Sequence, residues 1–123
     1  MYVILIALFF SPGFAQGIDE AIESLESGKS GQLVRFMGPT IQFSINEHSE
    51  TLPKAAAEAK LQHFLTVANP VKVTLQHKGT SKNNVSNYRV AKLLTHTENY
   101  RLFVYLETST QGVQIKEIRL DKE

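Results

Sequence analysis

The chain has 123 residues, 42% of them hydrophobic, with 13 basic and 12 acidic side chains and a formal charge of +1. That length supports one domain with one core and excludes a second, independent substrate domain. Cysteine is absent, which excludes a disulfide framework, a zinc-thiolate site, a thiol nucleophile and a cysteine-linked lipid anchor.

Tyr2 to Phe10 form an unbroken apolar run, followed by Ser11-Pro12-Gly13 and then Phe14-Ala15 ahead of Gln16. Such a run is too short to span about 30 Å of hydrocarbon. The small residues Gly13 and Ala15 stand at the −3 and −1 positions that signal peptidase accepts. Residues 1–15 are therefore expected to be a signal peptide cleaved between Ala15 and Gln16, leaving 16–123 as a single domain with no stable membrane insertion. No Lys or Arg precedes the run, so an uncleaved anchor is the alternative. An exported domain of this size without cysteine fits a bacterial periplasm or exterior better than a eukaryotic extracellular setting.

Beyond the leader, Ile18, Ile22 and Leu25 recur at helical spacing, with Asp19 and Glu20 in the first turn and Gly28 at the C-terminal stop. Ser30 is placed to cap a second short helix carrying Leu33, Val34, Phe36 and Met37, ended by Gly38-Pro39. Alternation of Ile41, Phe43 and Ile45 with Gln42 and Ser44 predicts a strand over 40–45, followed by a polar turn from Asn46 to Glu50. Pro53 opens a third helix, which places Ala57, Leu61, Phe64, Leu65 and Ala68 on one stripe before Asn69-Pro70 stops it. Strands are predicted from Val71, over 88–95, over 100–108 and over 113–120, joined by polar turns as a meander. Ile115 and Ile118 are out of phase for a regular strand, which predicts a bulge near Lys116-Glu117. The fold class is α+β: three helices packed on a curved four- to five-stranded antiparallel sheet.

This order of elements is similar to the cone-shaped nuclear transport factor 2-like fold. With the signal-like start, the stretches His77-Lys78-Gly79-Thr80-Ser81-Lys82, Tyr88, Tyr100-Arg101-Leu102-Phe103-Val104-Tyr105 and Ile115-Lys116-Glu117-Ile118-Arg119 resemble a family of small secreted bacterial proteins. That family is a domain of unknown function within the nuclear transport factor 2-like, cystatin-like-fold superfamily. The resemblance implies kinship with isomerases, dehydratases and epoxide hydrolases in which acids, His or Tyr inside the cone transfer protons. No Asp or Glu of this chain falls at a clearly inward mid-strand position, which counts against such an enzyme.

His48, His63, His77 and His96 stand too far apart in sequence for a ligand pair at helix or strand spacing, and no metal or cofactor is expected. Plain alternation puts His77 on the face of Val71, Val73 and Leu75, pointing towards the cone or its rim. His48 and His96 fall in predicted turns, and His63 on the outer side of a helix. Phe103 and Tyr105 share one face of their strand, while Tyr100, Leu102, Val104 and Leu106 share the other, so both faces are substantially apolar. His77, Tyr88, Phe103 and Tyr105 are the candidate ligand-binding residues, and the doubly apolar strand suggests a homodimer through the sheet face.

Residues 16–50 carry six acids and two bases, and 51–123 eleven bases and six acids. The bases, Arg89 among them, are spread along the chain and expected on a solvated surface rather than in a nucleic-acid patch. The function expected is non-catalytic binding of a small apolar ligand or a protein partner. The alternative is a lyase, isomerase or hydrolase using a cone-facing pair of His77 with Tyr88 or Tyr105.

Overall fold

The computed structural model describes residues 17–123; the expected signal peptide and its cleavage point at Ala15 and Gln16 lie outside these residues. The elements are α1 (Ile18–Glu23), α2 (Gly31–Val34), β1 (Met37–Ile45), β2 (His48–Pro53), α3 (Lys54–Ala68), β3 (Pro70–Thr80), β4 (Ser86–Thr95), β5 (Asn99–Ser109) and β6 (Gly112–Lys122). α1 continues as a 3-10 turn over Ser24–Ser27, which Gly28 closes at φ 80° with its N–H on the Leu25 carbonyl. Only glycine takes that left-handed turn without strain.

The sheet has six strands in the order β2-β1-β6-β5-β4-β3, and β1 runs parallel to β6 while the other neighbours are antiparallel. The expected four- to five-stranded antiparallel sheet is thus corrected to a six-stranded mixed one. The added strand, β2, lies where a polar turn was expected: Asn46 and Glu47 at φ 50° and 72° make a two-residue hairpin turn, the mirror-image turn that matches strand twist. Leu52 is the apolar residue that β2 lays against the core.

One face of the sheet carries the core. Ile41 and Phe43 of β1, Leu93 of β4, Leu102 and Leu106 of β5, and Ile115 and Ile118 of β6 are at most 1% exposed. They pack against Ile18, Ile22 and Leu25 of the first helical segment and Leu61 and Leu65 of α3. Each such side chain contributes about 1.5–3 kcal/mol by leaving water. Ser30 does not cap α2 with its side chain. Its N–H and hydroxyl both donate to Gln62 Oε1 at 3.0 Å, and Gln62 Nε2 donates to the Gly28 carbonyl at 2.9 Å. One α3 side chain therefore holds the loop between the two N-terminal helices.

Bulges decide which way side chains face. In β6, Tyr105 pairs with Glu117 and Leu106 with Ile115, so Lys116 is the extra residue, as the apolar phase predicts. In β3, Leu75 pairs with Ala91 but His77 with Val90, so Gln76 is extra. This second bulge inverts the end of β3. Lys78 and Thr80, not His77, lie on the helix-covered face, opposite Arg89 and Asn87.

Arg89 is also a correction. Expected on a solvated surface, it is 6% exposed on the inner face. Its Nε donates to Asp19 Oδ1 of α1 at 2.7 Å, and Nη1 to the Tyr88 carbonyl at 3.1 Å. Lys78 Nζ adds a 3.1 Å contact to Asp19 Oδ2. Partial burial pushes the Asp19 carboxyl upward, but the hydrogen bonds and charges of Arg89 and Lys78 outweigh it and hold it below its ordinary value.

Candidate functional site

The interior of the cone is occupied by the core side chains just described, so concave space is found at its rim. A hollow of about 550 Å³ lies between the second half of α3 and the β4–β5 turn. Ala59, His63 and Val67 form one i,i+4 stripe of its α3 wall, and Lys60, Phe64 and Ala68 the next. Ile45 and Tyr100 form its floor, and Thr97 and Glu98 the opposite lip. Phe64 and Tyr100 meet edge to face, with ring centroids 4.9 Å apart, which closes the way into the core. Val67 is 70% exposed, a large apolar side chain presented to solvent beside this aromatic pair.

The polar groups at the lip are largely engaged with one another. Lys60 Nζ lies 2.6 Å from Glu50 Oε2, and Lys122 Nζ 3.0 Å from Glu98 Oε1. The hydrogen bond and charge of Glu98 raise the Lys122 ammonium above its ordinary value, and the Lys60 hydrogen bond, opposed by slight desolvation, lowers Glu50. His63 contributes one imidazole to the wall. Among the described residues no three His, Asp or Glu side chains gather to hold a metal ion, and no helix is long and apolar enough to cross a membrane.

The four residues singled out from the sequence gather elsewhere. Tyr88, Phe103 and Tyr105 stand on the sheet face turned away from the helices, as the alternation along β5 requires. Tyr88 and Phe103 stack with centroids 6.1 Å apart and planes 23° from parallel. The Arg119 guanidinium lies over Phe103 at 5.1 Å and contacts Glu117 at 3.8 Å. Tyr105 Oη donates to Glu107 Oε2 at 3.1 Å and lies 2.9 Å from Ser86 Oγ. His77, expected to point towards the cone, is instead exposed on this outer face because of the Gln76 bulge. Sequence periodicity does not single out the groove residues His63, Val67 and Glu98, and it reads Phe64 as plain core. The 59/63/67 spacing beside the buried 57/61/65 stripe is the signal that marks them.

A family model described as a domain of unknown function, DUF4783, matches residues 18–121. The chain belongs to the DUF4783 family. A DUF4783 protein of Bacteroides ovatus with a crystal structure is 25% identical, with a TM-score of 0.79 over 88% of this chain and 94% of that one. A Nostoc punctiforme domain of unknown function with a cystatin-like fold shares 11% identity and a TM-score of 0.65, covering 85% and 72% of the two chains. The epoxide hydrolase/cyclase-like enzyme SalBIII of salinomycin formation reaches 0.62 at 10% identity, covering 86% and 87%. These last two likenesses concern the fold alone, and the fold that the DUF4783 domain shares with them is the cystatin-like, nuclear transport factor 2-like one. No curated protein matches the chain.

Proposed function

We propose that this DUF4783 domain is an exported bacterial binding module that takes an apolar or amphipathic guest in the groove between α3 and the β4–β5 turn. One observation carries the reading: Val67 stands 70% exposed in a hollow of about 550 Å³ lined by the Phe64–Tyr100 pair. That volume falls within the roughly 300–1,000 Å³ of small-molecule sites, and an apolar wall with a few polar groups at the lip is their usual make-up. Superfamily-type acid–base chemistry by His77 with Tyr88 or Tyr105 draws no support from the geometry, because all three side chains point away from the cone.

Export is supported by the apolar run from Tyr2 to Phe10 and the small residues before Gln16. Mass spectrometry of protein recovered outside the cytoplasm is expected to give a chain starting at Gln16, and a mass that includes residues 1–15 would refute cleavage there.

The groove is tested by titrating the protein with decanoate and with 1-anilinonaphthalene-8-sulfonate, read by thermal shift and fluorescence. Saturable binding of at least one probe is expected. Ala59→Phe, which fills the hollow, should weaken it at least 10-fold while leaving the melting temperature of the unliganded protein unchanged. Absence of saturable binding, or equal affinity in Ala59→Phe, would overturn the reading.

A further inference from the structure

The two halves of the groove's helical wall offer a guest different chemistry. That wall runs from Ala59 to Ala68, a rise of about 13 Å along the α3 axis. Lys60 and His63 stand in its earlier half, and Phe64, Val67 and Ala68 in its later half. The formal charges are already matched: Lys60 with Glu50 at 2.6 Å, and Glu98 of the opposite lip with Lys122 at 3.0 Å. His63 is exposed between Ala59 and Val67, one helical turn from each, and its imidazole enters no hydrogen bond or ion pair among the described residues.

We infer that the guest is a single-chain amphiphile whose carboxylate head is held by His63 and whose chain lies along Phe64, Val67 and Tyr100, an inference that rests on the groove being the binding site. An imidazole donates a hydrogen bond to a carboxylate whether it is neutral or protonated. Lys60 stands three residues earlier on the same helix surface; Glu50 engages one of the three donors of its ammonium, which leaves the others to the same head. An ammonium head finds no such place. The wall beside His63 holds a cation, and Glu98, the one carboxylate among the described residues that line the groove, is held by Lys122. A hydroxyl head accepts from His63 but brings no charge, and charge-assisted hydrogen bonds are about twice as strong as neutral ones. The chain covers Val67, which is 70% exposed, and the open side of the Phe64–Tyr100 pair. That burial drives binding, while His63 sets the choice of head.

The test compares decanoate, decanol and decyltrimethylammonium at neutral pH by NMR titration of the protein, read at the Val67 and Thr97 amides. Without a head site an apolar groove favours decanol, because a carboxylate gives up water at greater cost. The native protein should instead bind decanoate at least 5-fold more tightly than decanol, and the ammonium more weakly than either. In His63→Leu, which keeps the wall apolar and the helix propensity high, that preference should vanish or reverse while decanol binds at least as well as before. His63→Arg, which keeps a donor, should retain the preference. Ala59→Phe should weaken decanoate and decanol alike, and circular dichroism melts report that all three variants fold. Decanol bound as tightly as decanoate by the native protein overturns the inference; if Ala59→Phe still weakens decanol, the groove reading stands without it. A preference for decanoate that survives His63→Leu, its loss in His63→Arg as well, or tighter binding of the ammonium overturns the inference too. Binding of none of the three probes overturns both the inference and the groove reading.

Discussion

Arg89 Nε donates to Asp19 Oδ1 at 2.7 Å, tying β4 to α1 across 70 residues of sequence. The guanidinium is 8% exposed and the carboxylate 31%, so the cation depends on this partner far more than the anion does. Removing the anion leaves a nearly buried charge without compensation. Asp19→Ala should therefore lower stability by about 2 kcal/mol, less than a fully buried pair because the site is partly wet. Replacing both residues, Asp19→Ala with Arg89→Leu, should recover part of that loss. Urea denaturation of the three variants checks the prediction, and an unchanged midpoint for Asp19→Ala would contradict it.

The same pair sets an acid limb. Asp19 is held below its ordinary value in the folded state, so over acidic pH the unfolded chain binds more protons than the native one. The contribution of Asp19 is complete above the unfolded value, about 4, and is lost as pH falls through the lowered folded value. Urea midpoints measured between pH 5 and pH 2.5 should fall less steeply for Asp19→Asn than for the native chain. Parallel curves would show that other carboxylates carry the acid dependence.

Whether the direction of a side chain can be read from the sequence depends on what flanks it. The Lys116 bulge is legible because apolar residues stand on both sides, and their phase breaks between Ile115 and Ile118. The Gln76 bulge is not, because His77, Lys78, Gly79 and Thr80 hold no apolar residue whose burial would betray the shift. Alternation puts His77 on the wrong face for that reason alone, while Phe103 and Tyr105, flanked by Leu102, Val104 and Leu106, fall on the right one. β2 is hidden because its turn, Asn46-Glu47, lacks the glycine that usually marks a two-residue hairpin. The parallel partnership of β1 and β6 joins strands with β2, α3, β3, β4 and β5 between them in sequence, so no local pattern in either strand encodes it. The groove is hidden because α3 buries one stripe and presents the neighbouring one, and a mixed stripe of Ala59, His63 and Val67 resembles an ordinary helix surface.

Gly79 of β3 lies beneath the Tyr88 ring, and a Cβ there would overlap Cε2 and Cζ of the tyrosine. Alanine must therefore push the ring off its stack with Phe103. Gly79→Ala should destabilise by about 1 kcal/mol, the scale of a lost aromatic contact, and the penalty should vanish in a Tyr88→Ala background. A double-mutant cycle by thermal denaturation measures this coupling, and additive effects would rule out the overlap as its cause.

Gln62 supplies the partners of Ser30 and the Gly28 carbonyl. In Gln62→Leu the α3 backbone keeps its helix propensity, but the Ser30 N–H and hydroxyl lose their acceptor in a residue only 2% exposed. Leaving buried donors without an acceptor costs about 1–3 kcal/mol. The loss should appear as faster hydrogen exchange at Ser30 and neighbouring amides before any change in the exchange of β5. Uniform acceleration across the sheet would mean that the clamp is part of the global unfolding unit.

β3 is one of the two edges of the sheet, and its exposed backbone would offer a template for another strand. Bulges at Val71 and Gln76 interrupt that edge, and Glu26 accepts the Val73 N–H at 2.9 Å from outside. The carboxylate both occupies a donor that an incoming strand needs and places a charge in its path. Glu26→Ala should cost only about 1 kcal/mol, the net value of one hydrogen bond. Its larger effect should be on self-association: light scattering at 37 °C is expected to rise with time for Glu26→Ala and stay flat for Glu26→Gln, which keeps an acceptor. Equal aggregation of the two variants would assign the protection to charge instead of the occupied N–H, and no aggregation of either would leave the bulges as sufficient protection of this edge.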